Sequence, residues 1–187
     1  MEIIRLKSSN LENLYEYIKN KKCIIVLNLE TENNNHIITD QEFALLNYIE
    51  IMKKSYELSD FFRLKGKKVK IFDLEELGIN TNKNYIDALV ESIDAYYYKK
   101  YLSYNDYLII PGGVGTYFNK ATYLGKLGAY LSSIALGIRL ELPISYFYNN
   151  GEIEIVDDLD FEINNKAKML IKNNSCRLKI IGRNKNV

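Results

Sequence analysis

Asp106-Tyr107-Leu108-Ile109-Ile110-Pro111-Gly112-Gly113-Val114-Gly115-Thr116 is the stretch on which the fold turns. An apolar run of strand length is closed by proline. Glycine then fills three of the next four positions. Glycine reaches positive φ and lets another group approach the backbone closely. The spacing of Leu124, Leu127, Leu131 and Ile134 predicts a helix from about Thr116 to Leu136. The first turn of a helix carries unpaired N–H groups, and its dipole favours negative charge. A strand that passes through glycines into such a helix predicts a phosphate cradle. Thr116 would both cap the helix and offer its hydroxyl to a phosphate oxygen.

Working outward, other apolar runs have strand character. Cys23-Ile24-Ile25-Val26-Leu27 begins a continuous one over 23–29, as in a sheet covered on both faces. Val69-Lys70-Ile71-Phe72 and Pro143-Ile144-Ser145-Tyr146-Phe147-Tyr148 are two more, with a short edge element at Glu152–Val156. Between them lie helical patterns. Leu11, Leu14, Tyr15 and Ile18 share a face over 10–20, with Asn10 as N-cap. A helix capped by Asp40 runs to about residue 54, and 55–65 reads as a further turn. Ile86, Leu89, Val90 and Ile93 predict a helix over 84–101. A helix at 162–172 and a strand at 176–181 close the chain. Strands alternating with helices predict βαβ units and a mostly parallel sheet. The expected fold is a Rossmann-like three-layer α/β/α domain spanning 1–187 as one nucleotide-binding unit. Ligands in such sheets bind beyond the carboxyl ends of the strands. That selects the loops at 28–40, 73–84, 111–116 and 149–151.

Composition narrows the function classes. The 187 residues hold 25 Lys and Arg against 24 Asp and Glu, so no global field favours a nucleic-acid polymer or an anionic membrane. Two distant cysteines, Cys23 and Cys176, make no disulfide framework, and one histidine, His36, gives no zinc set. No metal or cofactor is expected. A Ser-His-Asp site would depend on His36 alone, and there is no Gly-x-Ser-x-Gly elbow. No run reaches the length of a membrane span, and Met1–Arg5 does not begin a signal peptide, so a cytoplasmic protein is expected. Gly125, Gly128 and Gly137, with Ala121, Ala129, Ser132, Ser133 and Ala135, mark a small-residue helix suited to close packing and to a homodimer interface.

The glycine string is neither Walker A, which needs Gly-Lys-Ser/Thr, nor the Rossmann fingerprint Gly-x-Gly-x-x-Gly. Residues 106–116, with Leu136-Gly137-Ile138 and 142–151, resemble the lysine-decarboxylase-like, or LOG, family of cytokinin-activating phosphoribohydrolases in the wider SLOG group. The resemblance covers about 96–152. It implies hydrolysis of the N-glycosidic bond of a nucleoside 5′-monophosphate, with release of base and ribose 5-phosphate. It also implies dimers, and a phosphate held by Gly112, Gly113, Gly115 and Thr116. Lys99-Lys100 stands where the family has an Arg-Lys pair. The chain departs from the family's Gly-Thr-x-Glu-Glu, with Phe118 and Asn119 at the glutamate positions. It also lacks the upstream Gly-Gly-Gly-x-x-Gly-Leu-Met loop, having Asp73-Leu74-Glu75-Glu76 after its strand. Gly115-Thr116-Tyr117-Phe118-Asn119 is similar as well to the Asp-x-Gly-Thr-x-x-Glu motif of nucleoside 2-deoxyribosyltransferases, again with asparagine at the catalytic glutamate.

An N-glycosidase needs a carboxylate at the anomeric carbon. Asp73, directly after a core strand, and then Glu42 are the leading candidates. Asp40, Glu75, Glu76, Glu91 and Asp94 are the other nearby acids. Asn119 is a candidate for a sugar hydroxyl or base edge. Lys99, Lys100 and Lys120 are candidates for phosphate, and Tyr117 or Phe118 for stacking on a base. The competing reading is a catalytically inactive binder or sensor of a nucleotide or nucleotide-derived signal, and the third is a protein-interaction module with a vestigial loop.

Overall fold

A computed structural model describes residues 2–6, 11–28, 38–125, 128–142, 144–147 and 153–154. In chain order the elements are β1 (Glu2–Leu6), α1 (Leu11–Ile18), β2 (Cys23–Leu27), α2 (Asp40–Leu64), β3 (Val69–Ile71), α3 (Leu74–Leu77), β4 (Ile79–Thr81), β5 (Val90–Ile93), α4 (Tyr96–Tyr104), β6 (Tyr107–Ile110), β7 (Val114–Tyr117), β8 (Lys120–Tyr123), α5 (Gly128–Leu140), β9 (Ile144–Phe147) and β10 (Ile153–Glu154).

The main sheet has the order β10-β9-β1-β2-β6-β3. Every neighbouring pair is parallel except β9 with β10. This is the Rossmann-like α/β fold that the alternating pattern predicts. All residues of β1, β2 and β6 are buried, as befits strands covered on both faces. Strand alternation sends Glu2 and Arg5 to opposite faces. Glu2 meets Tyr17 and Lys21 at the α1 side. The Arg5 guanidinium lies 3.3 Å over the Tyr130 ring of α5. Tyr15 of α1 packs edge-on against Phe61 of α2, so those helices share a face. The chain moves one way across the sheet through α1 and α2 and returns through α5. A constant crossover hand requires opposite faces for opposite directions.

β1 is absent from the sequence expectation, yet it is a central strand. Charged residues near both ends hide it. Glu2 and Arg5 are only 6% and 5% exposed, and each finds a partner inside. α2 begins on Thr39 rather than on Asp40. The Thr39 hydroxyl accepts from the Glu42 amide, while Glu42 accepts from the Thr39 amide, a capping box. The helix runs on through 55–64, where Ser55, Leu58, Ser59 and Phe62 are buried.

Two helix expectations are corrected. Residues 84–101 split into an irregular loop, β5 and the start of α4, because Ile79↔Ile93 pairing claims the β-branched Val90–Ile93 for a strand. Residues 114–123 form a hairpin, and the helix begins only at Gly128. The two segments pair antiparallel, Val114 with Tyr123 and Tyr117 with Lys120. Phe118 and Asn119 make the turn between them with φ of 47° and 62°. Positive φ at both central residues is the type I′ signature that matches the twist of a hairpin. β7 and β8 join β4 and β5 in a second sheet of order β5-β4-β7-β8. Asn10, His36, Cys176 and the elements expected at 162–172 and 176–181 lie outside the described residues. Among the described residues, no helix is long and apolar enough to cross a membrane.

Thr39→Ala should lower the urea midpoint, because α2 loses its cap. The Thr39 backbone amide and hydroxyl hold the Glu42 carboxyl below the usual carboxylate range. A depressed carboxylate stabilises above its unfolded pKa, and that contribution fades as pH falls through the folded one. The gap between wild type and Thr39→Ala should therefore narrow between about pH 7 and about pH 3. An unchanged gap in paired urea titrations would contradict this role for the box.

Candidate functional site

Gly112 and Gly113 carry the chain from β6 into β7 across a crowded point. A Cβ on Gly112 would lie 2.0 Å from the Leu27 carbonyl oxygen and 2.9 Å from the Ala129 methyl. Gly113 has φ of 79°. Gly128, the first residue of α5, sits so near Gly113 that a Cβ there would be 2.5 Å from the Gly113 Cα. The Gly113 amide donates to Ser132 Oγ at 3.1 Å, and that hydroxyl donates to the Gly128 carbonyl at 2.9 Å. These glycines fix a backbone crossing between β2, β6 and α5.

The expected cradle is therefore corrected. Gly115 and Thr116 lie in β7, not at a helix start. Gly115 pairs with Thr122, and a Cβ on it would meet Thr81 Cγ2 at 2.4 Å. The Thr116 side chain is turned to Ile79 and Asn80 of β4 and is 8% exposed. Asn119 and Lys120 stand at the exposed hairpin tip beside Phe118, which is 83% exposed. A four-residue strand puts that tip roughly 10 Å from the Val114–Tyr123 end. Asn119 has φ of 62°, in the left-handed region that asparagine tolerates.

The two leading carboxylates also have local duties. Asp73 Oδ1 accepts from the Glu76 amide at 3.0 Å and caps α3. Glu42 Oε2 accepts from Thr39 within the capping box. Glu76 accepts from the Tyr101 hydroxyl at 2.7 Å and pairs with Lys70. Asp94 accepts from the Tyr96 amide. Glu91, and Asp40 at the start of α2, are exposed. Lys99 and Lys100 are exposed on α4, with the Lys100 ammonium 5.8 Å and 5.6 Å from the Tyr96 and Tyr101 ring centres. Among the described residues, no hydrogen bond or ring contact brings either lysine to the glycines.

A shallow recess of about 10 Å³, room for about one water molecule, opens beside the crossing. Asn28, Asn47, Gly112, Gly113, Gly128 and Ala129 contribute to its wall, with Ile51, Val114, Tyr123 and Gly125. Asn28 and the two loop glycines place it at the carboxyl ends of β2 and β6, where open α/β sheets bind ligands. The first two residues of α5 also face it, so the helix start expected at Thr116 is supplied instead from Gly128. Of the expected site residues, Gly112 and Gly113 are brought together here. Asn28 and Asn47 were not anticipated. Asn28 directly follows a core strand, and Asn47 interrupts the buried row Ala44, Ile51, Leu58 of α2, so both left a readable sign. No carboxylate or cation is among the lining residues.

Ala129, Leu131–Gly137 and Gly128 are buried within the single chain. Core packing thus accounts for the small residues of α5. Burial pushes the Cys23 thiol far above its usual range, which leaves it unreactive. Among the described residues, no cluster of three His, Cys, Asp or Glu could hold a metal. No protein-family model matches this chain, and no curated protein matches it.

Ser132→Ala would strand the buried Gly113 amide, at a cost of about 1–3 kcal/mol, readable as a lower denaturation midpoint with an unchanged slope. A midpoint within error of wild type would refute the hydrogen bond. Asn119→Glu restores a family carboxylate only at the exposed turn. It should lower stability slightly and yield no release of adenine from AMP by chromatography.

Proposed function

We propose that this chain is a nucleotide-binding protein that seats the ligand's phosphate at the mouth of the recess at the start of α5 and holds it without hydrolysis. The observation that carries this reading is the composition of the recess wall. Glycine backbone from Gly112, Gly113 and Gly128 meets two side-chain amides, no acid is among the lining residues, and the Asp87 carboxylate lies behind Gly125. The Gly128 amide is taken by the Gly125 carbonyl, so it is the next first-turn amides of this thirteen-residue helix that suit an anion by hydrogen bonding and dipole. The Asn28 side chain adds a donor at the mouth of β2.

N-glycosidic hydrolysis asks for a group that stabilises positive charge on the sugar or activates water. Asp73 and Glu42, the acids best placed by sequence, are spent on helix caps. The binder reading is therefore favoured over the phosphoribohydrolase and deoxyribosyltransferase readings that the glycine string suggests.

Titration calorimetry with AMP should give one site. Asn28→Ala should weaken it about tenfold, the worth of one charge-assisted hydrogen bond. The Asn28 amide backbone already bonds Leu6, so the fold should tolerate the change. Chromatography after prolonged incubation should find AMP intact. Absence of heat with any nucleoside monophosphate would end the binding reading, and free adenine would end the non-catalytic part of it.

A further inference from the structure

Leu45, Ile49, Met52 and Tyr56 run along the outer side of α2, away from the row of Ala44, Ile51 and Leu58 that packs into the core. Leu45, Ile49 and Tyr56 are each about half exposed, and Met52 is half-buried. Leu46, also half exposed, borders them. Single apolar residues on a surface are ordinary, but a helix that lies on a core normally turns charged and polar side chains to water. Among the described residues, no other element gathers as many large exposed apolar side chains. Their spacing of four, three and four residues is that of the seam along which one helix packs on another. Glu50, Lys53, Lys54 and Glu57 take up the rest of the exposed surface, and Glu50 pairs with Lys54 within the helix.

The seam is nearly centred on its helix. Its midpoint falls between Glu50 and Ile51, and the midpoint of Asp40–Leu64 falls at Met52. A stripe placed in this way is complementary to a copy of itself. Turned about a two-fold axis, an antiparallel second α2 sets Leu45 against the partner's Tyr56 and Ile49 against the partner's Met52, and the two helices overlap along most of their length. A stripe near one end would leave half of each helix unmatched and would call for a different partner. The 25 residues of α2 extend for about 37 Å, and a contact face about 10 Å wide gives roughly 400 Å² from each copy. That is small for a permanent dimer and suits a reversible one. The small residues of α5 are spent on the core, so a second copy must be met elsewhere. We propose that a second copy of this chain docks on the outer face of α2, antiparallel about Ile49 and Met52, to form a reversible homodimer.

Sedimentation equilibrium on the full chain tests this. Between about 1 µM and about 1 mM the mass should climb from one chain, 21.8 kDa, towards two. Ile49→Lys should weaken association at least about tenfold, with a melting temperature within error of wild type because the position is half exposed. Leu64→Lys is the control. Leu64 is 88% exposed yet lies beyond the seam, so this variant should associate as wild type does. The chain has no tryptophan, so Leu46→Trp places a single reporter at the border of the seam. Its emission should move to the blue as the dimer forms. A wild type that stays one chain at every concentration overturns the proposal, as does a dimer that Ile49→Lys leaves intact. Equal loss in Leu64→Lys marks a general stickiness of exposed apolar groups and overturns it too. Emission already blue in the monomer means that the chain's own residues cover α2, which overturns it as well.

Discussion

The crossing of backbones at Gly112–Gly113 is the constraint on which the rest depends. The chain must leave β6, pass the end of β2 and slip beneath the first turn of α5. The Leu27 carbonyl and the Ala129 methyl leave no space for a side chain there. Close packing of this kind tolerates no added methyl without displacing backbone, which is far less compliant than a side chain. Because the crossing is tight, the Gly113 amide reaches Ser132, and α5 is locked to the sheet. Because it turns sharply, β7 is delivered to a second sheet instead of to a helix. The recess is the space left where this joint and the flank of α2 fail to meet.

This joint also explains why a glycine-rich string after a strand is an ambiguous signal. The same residues serve close backbone approach and anion binding, since both need an absent Cβ. In this chain Gly115 answers to Thr81 and the hairpin alone. Gly112 and Gly113 answer to the joint and also face the recess. A single motif thus divides into residues that hold the fold and residues that also border a recess. The Phe118-Asn119 pair belongs to the first kind, because its positive φ values are what a two-residue hairpin demands.

Strands built only from apolar residues were legible. Cys23–Leu27 and Tyr107–Ile110 read as buried strands, and the structure puts both in the interior of the sheet, away from its edges. Glu2–Leu6 was not legible, because the partners that neutralise its charges come from α1 and α5, and one sequence does not disclose such pairings. The hairpin was misread for a different reason. Leu124, Leu127, Leu131 and Ile134 do carry helical spacing, but Leu124 precedes α5, and the β-branched and aromatic residues Val114, Thr116, Tyr117, Thr122 and Tyr123 before it were the better guide. The candidate site was half legible. Strand-end position found Gly112 and Gly113 and should have found Asn28. Asn47 needed attention to a polar residue inside an apolar row. Asp73 and Glu42 were chosen for lying near strand ends or loops, and that is also where helix caps are found.

β1 pairs with β2 on one side and with β9 on the other, so Ile3 is aligned with both Ile24 and Ile144. One edge of the first strand is thus satisfied by a strand close behind it, while the other waits for residues about 140 positions further along the chain. Until then a row of unpaired amides and carbonyls on an apolar strand is open to any passing edge. Late closure of this sort slows folding and raises exposure to misassembly. Nascent chains halted before β9 should therefore be the species most dependent on protection by chaperones.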